Sequence, residues 1–439
     1  MPITRRTVIR ATALSPLFMP ALSWGRILGA NDRLNMAVIG TGGMGTGHLT
    51  SLVKRSDEEN IDVIRACDVY RRRLDNSAKV ASLAAGKATM EYERVLDDPD
   101  VDAVVIATPD HWHTKIAIEA MEAGKDVYCE KPLSHTIPQA IACRDAVHRT
   151  GRTLQVGPQG TSDGSFWAAG QAIREGRIGK PTWSQGAYCR NSRGGQFNWH
   201  IDPDAGPQNT HDKAGYVWWD RWLGHEHGLA PKIDWNADHF FRFRKYLAYN
   251  GGLATDLLYH RLAPLLLAIE GHDGAYPKRV VASGGIYLEK DERDIADTFF
   301  MMVDYPTEHT IVLSSVMTNN DTWPTVIRGQ YGTMEFGNGL TLSEQPPWWE
   351  EFRTANGVDI THEDGKPTPK PGTATAHIDP MDRRDHMGNF LDAVRNGDRL
   401  ACNVDLGCAT MVAIKMAVDA WKHDQVLLWN DEQEVVTRT

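Results

Sequence analysis

A glycine loop placed directly after a short apolar run is the feature that most constrains this chain. The run is Met36-Ala37-Val38-Ile39, and the loop is Gly40-Thr41-Gly42-Gly43-Met44-Gly45, with the spacing G-x-G-x-x-G. After a strand, such glycines allow a tight turn, close approach of a pyrophosphate and packing of the next helix on the strand. Unpaired amides at the start of that helix favour phosphate oxygens. The loop therefore predicts a dinucleotide site at Gly40, Gly42, Gly43, Met44 and Gly45.

A carboxylate follows the second apolar run. Residues 61–66 lead to Asp68, close to the position, about 20 residues beyond the glycines, where an acid accepts the ribose hydroxyls. A carboxylate there repels a 2'-phosphate, so Asp68 favours NAD over NADP. Two alternatives stay open: Asp68 is a solvated acid at a strand end, or the arginines at 71–73 bind a phosphate.

Two further strands end in polar residues. Residues 103–107 run into Thr108-Pro109-Asp110-His111-Trp112-His113, and residues 126–129 run into Glu130-Lys131-Pro132. Ligands of an open parallel sheet bind outside the carboxyl ends of its strands, so both segments are expected at one edge beside the dinucleotide. The cofactor contacts predicted at this edge are Thr108, Pro109, His113, Glu130, Lys131 and, after the last strand, Gln159.

The strand pattern divides the chain of 439 residues into two predicted domains. Residues 31–157 alternate short apolar strands with helical stretches, which predicts a Rossmann domain with a doubly wound parallel sheet. In residues 158–439, five strand-like runs with short turns between 279 and 336 predict a mostly antiparallel α+β domain. Its last helical stretches, 386–396 and 406–421, are expected to pack back on the Rossmann domain. Residues 346–372, rich in Pro, Gly and charge, predict a surface excursion.

The N-terminus has the pattern of an export signal. Arg5 and Arg6 precede a mildly apolar stretch, residues 11–24, that is shorter than the roughly 20 apolar residues a membrane span needs. Residues 1–30 resemble a twin-arginine signal, which predicts export of the folded protein to the periplasm and no membrane anchor in the mature form. The alternative is a disordered basic leader.

Composition excludes one class of partner and leaves another open. The net charge of −10 argues against a nucleic-acid groove. Scattered histidines and acids between 200 and 239 lack the spacing of metal ligands, so no metal is predicted. Tryptophans and tyrosines between 199 and 235 suit stacking on a sugar face, and they equally suit packing or a subunit contact.

Taken together, the motifs resemble a known family. The glycine loop, Asp68, the segment 108–113, the Glu130-Lys131-Pro132 triplet and the segment 251–260, with Asp256 four residues before His260, are similar to the Gfo/Idh/MocA family. The resemblance implies a Rossmann domain, an antiparallel-sheet domain, a nicotinamide cofactor and a carbohydrate-type substrate in the cleft between them.

The chemistry of such a cleft suggests roles for three residues. Oxidation of a secondary alcohol needs a base at the hydroxyl, and Asp256 and His260 share a face of a helix at i and i+4. His260 is therefore predicted as the acid/base oriented by Asp256, and Lys131 as the group that polarises the substrate oxygen. The structural alternatives are a helix cap for Asp256, a solvated lysine for Lys131 and a core histidine for His260.

Three functions remain open, two of them enzymatic and one not. The first is an NAD-dependent oxidoreductase acting on a sugar or related polyol. The second is a cofactor-recycling glycoside hydrolase or lyase that acts by transient oxidation at C3 and elimination. The third is a dinucleotide sensor without enzymatic activity. The protein is expected to form a homo-oligomer, a dimer or tetramer.

Overall fold

The computed structural model describes residues 33–363 and 366–438. From Leu34 onward the chain packs as one compact unit that contains two large sheets, one on either side of Gly157 in the sequence. The predicted export signal, residues 1–30, lies outside the described residues.

The first sheet is six-stranded, entirely parallel and ordered β3-β2-β1-β4-β5-β6. Its strands are β1 (Leu34–Ile39), β2 (Ile61–Cys67), β3 (Ala88–Thr89), β4 (Ala103–Ile106), β5 (Asp126–Cys129) and β6 (Leu154–Val156). The helices between them are α1 (Gly43–Lys54), α2 (Arg71–Val80), α3 (Glu93–Leu96), α4 (Asp110–Glu122) and α5 (Ile137–Thr150). Strand order reverses between β1 and β4, which opens the crevice where such sheets bind ligands.

The second region carries the remaining elements. In chain order they are α6 (Gly164–Arg174), β7 (Pro181–Ala187), α7 (Trp219–Leu223), α8 (Ala237–Phe241), α9 (Tyr259–Ile269), β8 (Arg279–Gly285), β9 (Thr298–Asp304), β10 (Thr310–Val316), β11 (Val326–Gly329), β12 (Gly332–Gly337), β13 (Gly339–Glu344), α10 (Trp349–Asn356), β14 (Thr361–Glu363), β15 (Lys366–Thr368), β16 (Thr375–Ile378), α11 (His386–Asn396), α12 (Val404–His423), β17 (Leu427–Asn430) and β18 (Val435–Arg438). Ten of these strands form one sheet, ordered β16-β13-β12-β11-β7-β10-β9-β8-β17-β18. Its strand pairings are antiparallel except that of β7 with β10, which is parallel. The predicted fold class, a parallel Rossmann sheet followed by a mostly antiparallel sheet, is confirmed.

The segment predicted as a surface excursion contains ordered structure. Within 346–372 lie α10 and the hairpin β14–β15. Arg353 of α10 is fully buried and pairs with Glu344 at 2.8 Å, and Glu344 also accepts the Gly372 amide. This buried ion pair fixes a stretch whose composition alone suggested an irregular loop.

The C-terminal helices lie against the end of the first sheet. The Val156 amide donates to the Cys402 carbonyl at 3.0 Å, and the Gln155 side chain donates to the His386 carbonyl at 2.6 Å. Residues far apart in sequence therefore cover the β6 edge of the first sheet. Across the described ranges, no helix is both long and apolar enough to cross a membrane.

Candidate active site

The glycine loop is closed on one side and open on the other. A Cβ on Gly45 would lie 1.8 Å from the Gly40 carbonyl oxygen, so only glycine fits there, while a Cβ on Gly43 would meet nothing within 4 Å. Helix α1 begins after Gly42 with no side-chain cap and no acid in its first turn. Its first amides are therefore free to bind phosphate oxygens.

One cavity of about 780 Å³ joins this loop to the second region. Thirteen of the fourteen predicted site residues line it, and the exception, Gly45, packs on Gly40 instead. The predicted residues that line it are Gly40, Gly42, Gly43, Met44, Asp68, Thr108, Pro109, His113, Glu130, Lys131, Gln159, Asp256 and His260. The structure thus brings the two predicted sets, cofactor contacts and catalytic residues, to one place.

Asp68 holds the glycine loop in position. Its Oδ2 accepts the Thr41 amide at 2.7 Å, and its Oδ1 accepts the Tyr70 amide at 2.8 Å. Oδ2 also accepts the Thr41 hydroxyl at 3.2 Å, whereas Oδ1 keeps a second lone pair. Asp68 can therefore accept a ribose hydroxyl at Oδ1 while it fixes the loop, which fits the residues to NAD.

The three arginines after Asp68 point in different directions. Arg71 pairs with Asp75 at 2.8 Å, and Arg72 pairs with Asp204 at 2.6 Å. Arg73 lines the cavity, with its guanidinium 5.2 Å from the Phe240 ring centre. The phosphate-binding alternative is therefore confined to Arg73.

Thr108 and His113, two of the predicted cofactor contacts, differ in whether their polar atoms are available to a ligand. The Thr108 Oγ1 atom is buried and has no hydrogen-bond partner within the described ranges, as expected for a group that meets a bound molecule. His113 differs, because its Nδ1 and Nε2 lie 2.7 and 2.8 Å from the carbonyl oxygens of Pro132 and Thr108. Its nitrogens hold two backbone segments together, so the contact predicted from His113 is limited to the carbon edge of the ring.

Glu130, which is buried, and Gln159, which is half-buried, form a polar pair in the cavity wall. The Gln159 amide donates to Glu130 Oε1 at 2.9 Å, and His48 Nε2 lies 2.7 Å from the same oxygen. Burial opposes ionisation of Glu130, but the hydrogen bond and charge of His48 and the charge of Lys131 lower its pKa to about 2. Glu130 is thus a fixed negative charge next to Lys131.

Lys131 and Asp256 form the central ion pair of the cavity. Lys131 Nζ donates to the Asp256 carbonyl at 2.7 Å and to its Oδ1 at 3.0 Å. Arg244 Nε donates to the same Oδ1 at 2.7 Å. Although burial opposes ionisation, the charges of Lys131 and Arg244 hold the pKa of Asp256 well below its usual range.

His260 is placed differently from the prediction. Residues Ala254–Leu258 form a turn of π-helix before α9, so the i, i+4 geometry of a regular helix does not apply. Among the described residues no hydrogen bond joins Asp256 to His260, because Lys131 and Arg244 occupy the Asp256 carboxylate. Burial, followed by the charge of Lys131, lowers the pKa of His260 to about 3. The imidazole is therefore neutral at physiological pH.

Asp110 is a cavity residue that the sequence reasoning missed. It is the first residue of α4, it is 4% exposed, and its Oδ2 accepts the Asn250 side-chain amide at 2.7 Å. Burial raises the pKa of Asp110 to about 7, against the charges of Arg244 and Lys131. The position of Asp110 in the polar segment after β4 was the signal in the sequence for a site residue. Its burial, however, involves Asn250, 140 residues away in the chain.

An aromatic segment, residues 190–250, packs against the residues that follow β2. Val217 pairs with Tyr70, and the Trp218 amide donates to the Val69 carbonyl at 2.9 Å. Trp219 and Trp222 stack on each other at 4.9 Å inside this segment. Most of its aromatic side chains therefore serve packing, one of the alternatives left open, while Trp199 lines the cavity and is 43% exposed.

Within residues 190–250, the histidine and acidic side chains of the described structure do not come together as a metal-binding cluster. Asp202 accepts the Tyr70 hydroxyl at 2.6 Å and Asp204 pairs with Arg72. Over residues 33–363 and 366–438, no group of three or more His, Cys, Asp or Glu side chains is arranged to hold a metal ion.

We expect Asp110→Asn to change how stability depends on pH. The folded protein keeps the Asp110 proton up to about pH 7, whereas the unfolded chain releases it near pH 4. In the wild type, the contribution of Asp110 to the free energy of unfolding is complete below about pH 4. This contribution falls as the pH rises to 7, by an amount on the order of 4 kcal/mol. The melting temperature of Asp110→Asn relative to wild type should therefore be higher at pH 8 than at pH 5. Asp75→Asn, at the surface, is the control, and an equal difference at both pH values would contradict the assignment.

The parallel sheet, the glycine loop and the cavity define a dinucleotide-binding protein with a second, sheet-based region. Residues 34–158 match the model of the GFO_IDH_MocA family, described as an oxidoreductase family with an NAD-binding Rossmann fold. This part of the chain is similar to the NAD-binding Rossmann domain of that family.

Two relatives are similar to this chain over part of their length. Levoglucosan dehydrogenase of Pseudarthrobacter phenanthrenivorans is 32% identical over 179 residues, 40% of this chain and 44% of that protein. A glycosyl hydrolase family 109 protein of Stenotrophomonas maltophilia is 30% identical over 197 residues, 43% of this chain and 42% of that protein. The chain thus spans less than half the length of these relatives.

The fold itself extends further than the sequence similarity. The structure of levoglucosan dehydrogenase in complex with NADH superposes with a TM-score of 0.62 at 18% identity, over 90% of this chain and 98% of that one. The two-sheet architecture is therefore shared across nearly the whole described chain.

Proposed function

We propose that this protein is an NAD-dependent oxidoreductase that acts on a secondary alcohol of a sugar or related polyol. The observation that carries the proposal is the position of Lys131 and His260 in the same cavity as the glycine loop. The names of the relatives, a levoglucosan dehydrogenase among them, support a carbohydrate-type substrate.

The residues divide the chemistry between them. NAD bound in this cavity supplies a hydride acceptor for the alcohol carbon. The neutral imidazole of His260 accepts the hydroxyl proton. Lys131 stabilises the oxygen as negative charge develops on it, and Asp256 positions the Lys131 ammonium group.

The proposal is tested on protein purified without added cofactor. Mass spectrometry of the denatured protein should find NAD or NADH, and levoglucosan, myo-inositol or glucose should increase the NADH absorbance of the holoprotein. Bound NAD that no sugar or polyol of the panel reduces would argue against this function.

A second candidate is cleavage of glycosides with recycling of the cofactor. It is favoured by the family 109 relative and by Asp110, which adds a group that titrates near neutral pH to the same cavity. In this reaction the sugar is oxidised at C3, the aglycone is eliminated, water adds and the ketone is reduced again, so the net change is hydrolysis. Nitrophenol release from a nitrophenyl glycoside, with only a transient rise in NADH absorbance, would identify it.

We further propose that the protein is exported by the twin-arginine route and acts in the periplasm. The support is Arg5 and Arg6 before a short apolar stretch. A protein that crosses the membrane folded carries its dinucleotide with it, and a cavity covered by the aromatic segment suits retention of that dinucleotide.

We also propose that the protein forms a homo-oligomer through the outer face of its ten-stranded sheet. Trp183 of β7 and Phe300 and Met302 of β9 are 39%, 37% and 48% exposed. The register across β10 places them on one face, and exposed apolar patches of this kind mark interaction surfaces.

A further inference from the structure

Two guanidinium groups flank one tyrosine beside the candidate catalytic residues. The guanidinium carbons of Arg190 and Arg261 lie 4.8 and 4.9 Å from the ring centre of Tyr188. Arg190 Nη2 also donates to the Tyr188 hydroxyl at 2.7 Å. The Tyr188 ring is 6.1 Å from the His260 ring, and both Tyr188 and Arg190 line the cavity.

Neither guanidinium has a counter-ion in the described part of the chain. The Nε atom of Arg261 is buried and makes no hydrogen bond within the described residues. Two other arginines of the cavity are paired, Arg221 with Glu93 and Arg244 with Asp256. Two like charges on one ring repel each other, and a cation–π contact offsets only about 0.5–2 kcal/mol of that cost.

The charge of this end of the cavity is opposite to that of the chain. The protein has a net charge of −10, whereas here three cations, Lys131, Arg190 and Arg244, face two ionised carboxylates, Asp256 and Glu130, and an Asp110 that is protonated below about pH 7. A cationic pocket in an acidic protein concentrates anions.

We propose that Arg190, supported by Arg261, binds a carboxylate of the substrate, so that the substrate is a uronic acid residue or another sugar acid. A guanidinium fork matches a carboxylate in two parallel hydrogen bonds. The Tyr188 ring and hydroxyl already fix the plane of Arg190, which reduces the entropy lost on binding. Trp199, exposed at the same cavity, offers a face for the sugar ring. The inference rests on the proposed function for the identity of the sugar site.

The test compares a charged and a neutral sugar on the holoprotein with NADH bound, so that no turnover occurs. Methyl β-D-glucuronide should bind at least about tenfold more tightly than methyl β-D-glucoside in calorimetry. Arg190→Gln should remove that preference and leave the glucoside affinity unchanged, and Arg190→Lys should restore part of it. Arg193→Gln, an exposed arginine nearby, is the control and should bind like wild type.

Three results would overturn the proposal. The first is equal affinity for the two sugars, or no binding of the glucuronide at all. The second is an equal loss of affinity for both sugars in Arg190→Gln. The third is tighter binding of inorganic phosphate than of the glucuronide. The outcome is separable from the proposed oxidoreductase activity. If the glucuronide binds selectively but no sugar reduces NAD, the carboxylate site stands and the oxidoreductase activity is refuted. If only neutral sugars are turned over, the activity stands and the carboxylate site is refuted.

Discussion

Replacing Lys131 with methionine should lower turnover at least about a hundredfold while the bound cofactor is retained. The Lys131 ammonium group is the cation held against Asp256 at 3.0 Å, and its side chain is only 9% exposed. Methionine preserves the apolar stem and removes the charge that stabilises the substrate oxygen. The rate of NADH formation in a single turnover measures the loss, and mass spectrometry measures the cofactor content.

A matched variant separates this role from a general effect of removing a lysine. Lys54 is exposed in the last turn of α1, so Lys54→Met should turn over like wild type. A Lys131→Met protein with a near-normal rate would refute the assignment. Loss of bound NAD from it would instead show that Lys131 serves cofactor binding.

His260→Ala should also reduce turnover by at least about a hundredfold, because it removes the neutral imidazole that accepts the hydroxyl proton. Burial keeps that imidazole neutral down to about pH 3. Imidazole added to the variant as the free base is expected to enter the space left by the side chain and to restore part of the rate. The measurement is the single-turnover rate with and without imidazole.

The same experiment distinguishes a catalytic from a structural histidine. A structural role predicts a lower melting temperature and no rescue by imidazole. His423→Ala, at an exposed histidine near the end of α12, provides the control for any effect of imidazole on the assay. An unchanged rate in His260→Ala would contradict the proposed base.

Local sequence patterns determined the Rossmann half of this protein. The glycine spacing, the strand–helix alternation and Asp68 act over about 20–30 residues, and the same short-range steric and hydrogen-bond rules apply wherever they occur. That is why the strand β5, predicted at residues 126–129, has these bounds in the structure, and why the loop and Asp68 meet as expected. The strand-rich pattern after residue 279 likewise predicted the second sheet.

Contacts between distant residues decided the rest. Asp256 contacts Lys131, 125 residues earlier in the chain, rather than His260, four residues later, because the π-helical turn and the two cations redirect its carboxylate. Asp110 became a titratable cavity group only when Asn250 and the surrounding packing buried it. Charge pairing and desolvation depend on which side chains the tertiary fold brings together, and no local spacing encodes that. The sequence by itself therefore determined the fold class and the dinucleotide loop, while the tertiary structure decided which charges face the substrate.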